Sequence, residues 1–371
     1  MPQTLFIGLM SGTSTDGVDA VLADFSRPGR PAILAAASLP MPAALREEFL
    51  ALNIPGPDEL ARAALAGNAL AELYASATLS VLTQAGVGPA QVRAIGAHGQ
   101  TVRHDPAAGY TIQINAAALL AERSGMDVIA DFRSRDVAAG GQGAPLVPAF
   151  HHAMFANGRP RAILNLGGIA NVTLLGAAGE IRGFDTGPAN VLLDLWAQAK
   201  IGHAYDAGGR WAGTGQVDPG LLEFLLDSEP WFERAPPKST GRDLFNWEWL
   251  ARRLAAFKDR KDQALADQDI QATLQQLTAA TVAQAIARHA PDTEDMLVCG
   301  GGALNEGLMR ELQDAMPCPV SATSAANVPV QLVEALAFAW LAWAHVSGHR
   351  AGLPGVTGAR HETILGCKYP A

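Results

Sequence analysis

Residues 6–19 read FIGLMSGTSTDGVD: an apolar run ends in a turn of small, hydroxyl and acidic residues, and a second apolar run, 18–25, follows at once. Gly12, Thr13, Ser14, Thr15, Asp16, Gly17, Val18 and Asp19 make up the turn and its exit. Glycines and hydroxyls there let backbone N–H and side-chain O–H groups come close to an anion, so the segment reads as a phosphate cradle on a hairpin. It is not a Walker loop, which needs G-x-x-x-x-G-K-[ST] opening a helix, because no Lys occurs in it. Nor does it carry the G-x-G-x-x-G of a dinucleotide site. For this turn taken alone, an ordinary glycine–serine turn between core strands is the plain alternative. The second chemistry-bearing group is Asp185, in GFDTGP (183–188), where Gly and Pro predict a strand end that turns sharply and presents one carboxylate.

The hairpin pattern returns. Residues 162–176 (AILNLGGIANVTLLG) are again an apolar run, a small turn holding Gly167 and Gly168, and a second apolar run. Residues 92–99 (VRAIGAHG) and 296–302 (MLVCGGG) are each a short apolar run ending in glycine, as strands do when they deliver a tight loop. The order hairpin, strand–Gly loop, hairpin, strand–Gly loop predicts two similar halves. That is a duplicated domain rather than a solenoid, whose period is about 20–50 residues. The chain is Ala/Leu-rich with helical spacing over 40–90 and 116–125 and mostly helical by pattern over 190–290; long helices are expected over 273–290 and 306–316. Short strands interleaved with long helices predict an α/β protein with covered sheets. Residues 131–148 (DFRSRDVAAGGQGAPLVP) read as a loop-like crossing where the halves join.

Composition fits this organisation. At 371 residues the chain is long for one core and comfortable for two. With 49% hydrophobic and 17% charged residues it can bury a sizeable core. A net charge of −9 argues against a nucleic-acid partner, which needs a basic face. Cys299, Cys318 and Cys367 are widely spaced and odd in number, so reduced thiols in a cytoplasmic protein are expected. No basic n-region precedes residues 5–10, which are too short for a signal sequence. The stretch 330–345 (VQLVEALAFAWLAWAH) is short for a membrane span and contains Glu334, so a buried helix is expected.

A duplicated α/β protein with a phosphate-binding hairpin in each half resembles the actin and hexokinase superfamily of ATPases. The resemblance implies two similar domains of actin-like ATPase (ribonuclease H-like) fold, 1–135 and 136–371, with the last helix and tail returning to the first domain and ATP in the interdomain cleft. Motif by motif the likeness narrows. GLMSGTSTDGVD (8–19), GAHGQTVRH (96–104), ADFRSRDVAAGGQGAPLVPAFHH (130–152), NLGGIANVT (165–173), GFDTGPANVLLD (183–194), PPKSTGRDLFN (236–246), VCGGGALN (298–305) and EALAFAWLA (334–342) look like the bacterial anhydro-N-acetylmuramic acid kinases, in order over almost the whole chain. That family uses ATP and water to open the 1,6-anhydro bridge of its sugar and phosphorylate O6, giving N-acetylmuramic acid 6-phosphate in cell-wall recycling. The resemblance implies a cytoplasmic, Mg²⁺-using kinase of a small sugar, a homodimer, with no nucleic-acid or membrane partner.

The superfamily's usual acids are missing: Met10 stands where the first hairpin has Asp, and Asn165 where the second does. Phosphoryl transfer needs a cation and a group that positions the nucleophile, so the acids must come from elsewhere. Asp16 and Asp19 are candidates for holding Mg²⁺ through water. By resemblance Asp185 is the general base that takes a proton from the attacking water. Arg135 is the candidate grip for the lactyl carboxylate of the sugar. Ser134 lies where a third basic residue is expected, so this loop carries less charge than the family pattern. Thr101 and Glu334 are candidate sugar ligands, and His98 reads as structural rather than catalytic. Gly12, Thr13, Ser14, Thr15, Asp16, Gly17, Val18, Asp19, Gly167, Gly168, Gly300, Gly301, Gly302 and Asn305 are candidate nucleotide ligands, with Asn305 also able to cap the following helix. The run 238–242 (KSTGR) is family-like without an assignable role. Two rival readings stay open here: a kinase for another 1,6-anhydrosugar, which has no need of Arg135, and a non-catalytic ATP-dependent switch, which leaves Asp185 and Glu334 unexplained.

Overall fold

The computed structural model describes residues 3–12, 15–259 and 265–371. They belong to two compact units, Met1–Phe155 with Leu332–Ala371, and Ala156–Gln331.

The first unit contains β1 (Leu5–Met10), β2 (Gly17–Asp24), β3 (Ala32–Pro40), β4 (Val92–Ala97), β5 (Gln100–Asp105), β6 (Tyr110–Ile114) and β7 (Val128–Ala130). Its main sheet runs in the order Cys367–Tyr369, β7, β4, β1, β2, β3, with β5 and β6 as a separate hairpin. β1, β2 and β3 pair antiparallel, while β4 joins β1 and β7 joins β4 in parallel. The pairings Ile7↔Leu22 and Leu9↔Ala20 put four buried apolar side chains on one face. Helix Glu59–Ala85 covers that face with Leu70, Ala71, Tyr74, Ala77 and Val81, a three-to-four-residue spacing. The opposite face takes helix Val333–Val346, which is apolar nearly all round and correspondingly buried. This helix lies backbone to backbone on the sheet: a Cβ at Gly8 would strike the carbonyl of Ala335, and one at Gly96 that of Phe338. Among the described residues no helix is long and apolar enough to cross a membrane.

The division expected at 135/136 falls inside this unit. Asp136 is fully buried there and accepts hydrogen bonds from Gly143 N (2.8 Å) and Thr357 Oγ1 (2.7 Å). Residues 131–148 are thus folded onto the first unit, and they include the short helix Ser134–Ala138.

The second unit repeats the plan with β8 (Arg161–Leu166), β9 (Ile169–Leu175), β10 (Ile181–Pro188), β11 (Asp295–Cys299) and β12 (Val320–Ala322), ordered β10, β9, β8, β11, β12. The three edge-side strands are antiparallel, and β11 and β12 continue in parallel. In each unit the third, second, first, fourth and fifth main-sheet strands stand in that order. This is the ribonuclease H-like sheet occurring twice: the repeated hairpins predict the duplication, and the family resemblance implies the actin-like α/β fold. Helix Asp267–His289 starts earlier than expected and packs through Ala279, Val282 and Ile286 on the sheet. A separate aromatic cluster around Trp231, Phe232, Phe245 and Trp249 fills the space under the excursion between β10 and that helix.

Candidate active site

In the first unit, the turn after β1 brings Gly12 and Thr15 together through Thr15 N–H to Gly12 O (3.1 Å). Thr15 adopts φ +53°, unusual for a β-branched residue, and is buried. Thr13 and Ser14 lie outside the described residues. Gly17 passes so close to β3 that a Cβ would sit 2.6 Å from Leu39 O. Val18 points into the core, so only its backbone is available to a ligand. Asp16 is exposed, and Asp19 pairs directly with Met10 across β1–β2. Directly paired residues share a sheet face. Asp19 therefore supplies a carboxylate on the same sheet face as Met10. Burial raises the pKa of Asp19, the Ser38 hydroxyl that donates to it opposes this, and the charge of Asp16 adds to the rise.

The turn is tied to the start of β5 and to Arg133. Ser11 Oγ donates to Gln100 Oε1 (2.5 Å) and Gln100 Nε2 to Gly12 O (3.2 Å). His98 Nδ1 stands 3.2 Å from Ser11 O, and its Nε2 receives Arg133 Nη2 (2.9 Å) and Nε (3.2 Å). Burial, aided by the Arg133 charge, pushes the His98 pKa down to about 3. Arg133 also donates Nη1 to Gly143 O (2.8 Å). Burial lowers its pKa to about 10, with Glu334 and Asp136 pulling the other way, so it keeps its charge at neutral pH. Arg135, two residues on, is exposed. Thr101 Oγ1 accepts from Gln113 Nε2 (3.3 Å). Glu334 sits in the first turn of helix Val333–Val346, close enough to attract Arg133.

In the second unit, the β8–β9 turn holds the start of helix Asn190–Ile201: Gly167 O accepts from Asn190 N (3.1 Å), and Gly168 O from Ala189 N and Val191 N (3.0 Å each). Gly300 has φ +83°, and a Cβ there would strike Asn165 Oδ1. At Gly302 a Cβ would come within 2.6 Å of Leu166. Both glycines are thus required by strand packing, whereas Gly301 is exposed and a Cβ there would make only an ordinary contact, 3.7 Å from Asn190 Nδ2. Asn305 caps helix Glu306–Ala315 by accepting from Leu308 N (3.0 Å), and its Nδ2 donates to Gln275 Oε1 (3.0 Å). Its polar atoms are occupied by the fold itself.

Asp185 lies within β10 and not at its end as the Gly–Pro flank predicts. The pairing with β9 slips between Asp185 and Gly187, a bulge of the kind that re-aims a side chain. Its carboxylate Oδ2 accepts from Thr240 N (2.8 Å), and its own N–H donates to Lys238 O (3.1 Å). Burial raises its pKa to about 7, against the Thr240 bond and the Lys238 charge. A carboxylate with that pKa gains and loses a proton near neutrality, which is what a general base requires.

A family model described as "AnmK: Anhydro-N-acetylmuramic acid kinase" matches residues 4–371. The chain belongs to the anhydro-N-acetylmuramic acid kinase family. The anhydro-N-acetylmuramic acid kinase of Bordetella parapertussis is 64% identical over 371 residues, covering 100% of this chain and 97% of that one. The one from Variovorax paradoxus is 54% identical over 382 residues, covering 100% of both. Among solved structures, the activator of the 2-hydroxyisocaproyl-CoA dehydratase from Clostridium difficile aligns with 13% identity and a TM-score of 0.47, over 93% of this chain and 96% of that one.

An anhydro-N-acetylmuramic acid kinase of this family phosphorylates a sugar, and two groups around its candidate residues went unread in the sequence. Arg133 is one: the DFRSRD motif offers two arginines, and only the fold tells which turns inward. Thr240 and Lys238 are the other, because they reach Asp185 through backbone atoms. Family likeness marked the KSTGR run as worth placing, and nothing in its residue types marked the partner.

Proposed function

We propose that the chain uses ATP to open the 1,6-anhydro bridge of 1,6-anhydro-N-acetylmuramic acid with water and to phosphorylate O6. The products are N-acetylmuramic acid 6-phosphate and ADP, and the setting is the recycling of cell-wall amino sugars in the cytoplasm. The observation that carries this reading is the Asp185 carboxylate, held by the Thr240 N–H beside a bulge in β10 and raised to about 7 by burial, in a chain whose family model matches residues 4–371. Asp185 takes a proton from water as the water oxygen bonds to C1. The C1–O6 bond breaks and leaves its electron pair on O6. O6 then bonds to the γ-phosphorus as the bond to the β–γ bridging oxygen breaks, releasing ADP.

The turn at Gly12–Asp19, the turn at Gly167 and Gly168, and Gly300–Gly302 are the proposed nucleotide-binding elements, with Asn305 fixing the helix start beneath Gly301. Arg135 is the proposed grip for the lactyl carboxylate. Its exposure supports this, since the Nε, Nη1 and Nη2 groups of Arg133 are already engaged. Thr101 and Glu334 are proposed for sugar hydroxyls. Asp16 and Asp19 suit a Mg²⁺ held through water: burial is the main cause of the raised pKa of Asp19, the Asp16 charge adds to it, and a divalent cation beside both carboxylates offsets that repulsion. Among the described residues no group of three or more His, Cys, Asp or Glu could hold a metal ion. When bound, the cation supplies neutralising charge to the phosphates. The two compact units are taken as the two domains, in a homodimer.

The test is ATP consumption with and without the anhydrosugar, run in ¹⁸O-labelled water. Sugar-dependent turnover with label at C1 and none in the transferred phosphate is expected. Label in phosphate, or hydrolysis independent of sugar, would overturn the reading in favour of an ATP-driven switch.

A further inference from the structure

Residues 238–242 (KSTGR) have both flanks fixed by aromatic packing. Phe232, upstream, stacks on Phe245, downstream, with ring centroids 5.7 Å apart and planes within 14°. Trp231 and Trp249 meet Phe245 edge-on at 5.9 and 5.3 Å. Such pairs are favourable beyond the area they bury, so the loop between Phe232 and Phe245 is closed at its base. Lys238 turns back into this base: Nζ donates to Phe232 O (2.9 Å) and lies 4.4 Å over the Trp231 ring. With Lys238 anchored, the backbone on either side of Ser239 meets β10, the edge strand of its sheet. Lys238 O takes the N–H of Asp185, and Thr240 N–H reaches Asp185 Oδ2. Asp185 Oδ1 makes no hydrogen bond among the described residues.

We propose that residues 238–242 are a positioning strap for the proton-accepting carboxylate: the strap engages Oδ2 and the backbone N–H of Asp185, leaves Oδ1 as the oxygen that takes the proton, and keeps the Lys238 charge beside the ionised form. The inference rests on Asp185 being the base. In the step, an O–H bond of water breaks, its electron pair stays on the oxygen that bonds to C1, and the proton forms a new bond to Oδ1. Lys238 is the charged group facing Asp185; Lys238 in turn faces Arg288, Glu233 and His289. A cation near a carboxylate favours its ionised form, as does an N–H bond to it. Loss of either therefore moves the proton-accepting range to higher pH.

The test is the pH dependence of kcat in Lys238→Met and Thr240→Pro, beside Asp185→Asn. Lys238→Met is expected to move the acidic limb of the profile up by about half to one pH unit, with KM for ATP within about twofold of wild type. Thr240→Pro, which deletes the N–H, is expected to move the limb the same way and to lower kcat about tenfold or more. If Thr240→Pro fails to fold, Lys238→Met carries the test. An unmoved or lowered limb in Lys238→Met, with Asp185→Asn inactive, overturns the strap and leaves the base standing. Asp185→Asn within tenfold of wild type overturns the base itself.

Discussion

Two N–H groups of Arg133, Nη2 at 2.9 Å and Nε at 3.2 Å, converge on Nε2 of His98. Arginine only donates, so Nε2 must be the ring's acceptor and the proton sits on Nδ1, which donates to Ser11 O at 3.2 Å. The neutral imidazole thereby joins the phosphate turn to the arginine that holds the carbonyl of Gly143. A protonated ring has no lone pair for Arg133, and it would set two buried cations face to face.

The first prediction is a stability effect of pH. The folded-state pKa of His98, about 3, lies below its ordinary value of 6.5, so the folded protein binds fewer protons than the unfolded chain. The contribution is fully present above pH 6.5 and is lost as the pH falls from there towards 3. His151, buried and also lowered to about 3, acts in the same direction. His98→Gln is expected to flatten urea-unfolding stability between pH 6 and 5 by about 1 kcal/mol per pH unit. At pH 8 the same variant should be about 1–3 kcal/mol less stable, through its lost hydrogen bonds. An unchanged acid slope would show that His98 does not titrate on unfolding in this way.

Asp185→Asn keeps the size of the side chain and removes its basicity. A drop in kcat of about 10²–10⁴-fold is expected, with ATP affinity measured by calorimetry little changed. In the wild type, kcat should fall as the pH drops through about 7, where the carboxylate takes up a proton and ceases to be a base. A flat profile from pH 8 to 6 would count against it.

Arg135 and Arg133 should separate cleanly. Arg135→Ala, at an exposed position, is expected to raise KM for the anhydrosugar about 10–100-fold, the loss of about 1.5–3 kcal/mol for a hydrogen bond to a charged group. KM for ATP and the melting temperature should hardly move. Arg133→Met should instead lower the melting temperature, because His98 and Gly143 lose their donor. Equal sugar KM values for wild type and Arg135→Ala would remove Arg135 from the site.

Gly8→Ala is expected to destabilise the first unit by about 1–3 kcal/mol or more, since its Cβ would meet the Ala335 carbonyl and not a flexible side chain. Thermal melting measures this. A melting temperature within a degree of wild type would mean that helix Val333–Val346 can lift from the sheet without loss.

How far the sequence reaches depends on the range of the signal. Apolar runs that end in glycine marked β1, β4, β8 and β11 and their pairing into two similar sheets, because strand and loop chemistry is local. The helical stretch around Glu334 was legible from its unbroken apolar character. Asp185 was recognisable by its motif, but its place inside β10 was not, since a bulge and a strand end share the same Gly and Pro flanks. Thr240 is 55 positions from Asp185, and it acts through its backbone N–H, which every residue but proline has. Choosing between Arg133 and Arg135 needed the phase of a five-residue helix, too short to show a period.

Helix Val333–Val346 covers a sheet whose first strand begins at Leu5. On the ribosome this inverts the usual sequence of events, in which the N-terminal domain folds first. Ala156–Gln331 is one uninterrupted stretch and can close on itself as it emerges, while the glycine-paved face of the opening sheet has no cover until residue 346 is out. At about 5–20 residues per second that is a wait of roughly ten to forty seconds after residue 155 has been made. For that interval the face of the sheet around Gly8 and Gly96 lacks the helix that covers it in the folded protein, so the half of the chain made first is the half that waits longest to bury its core.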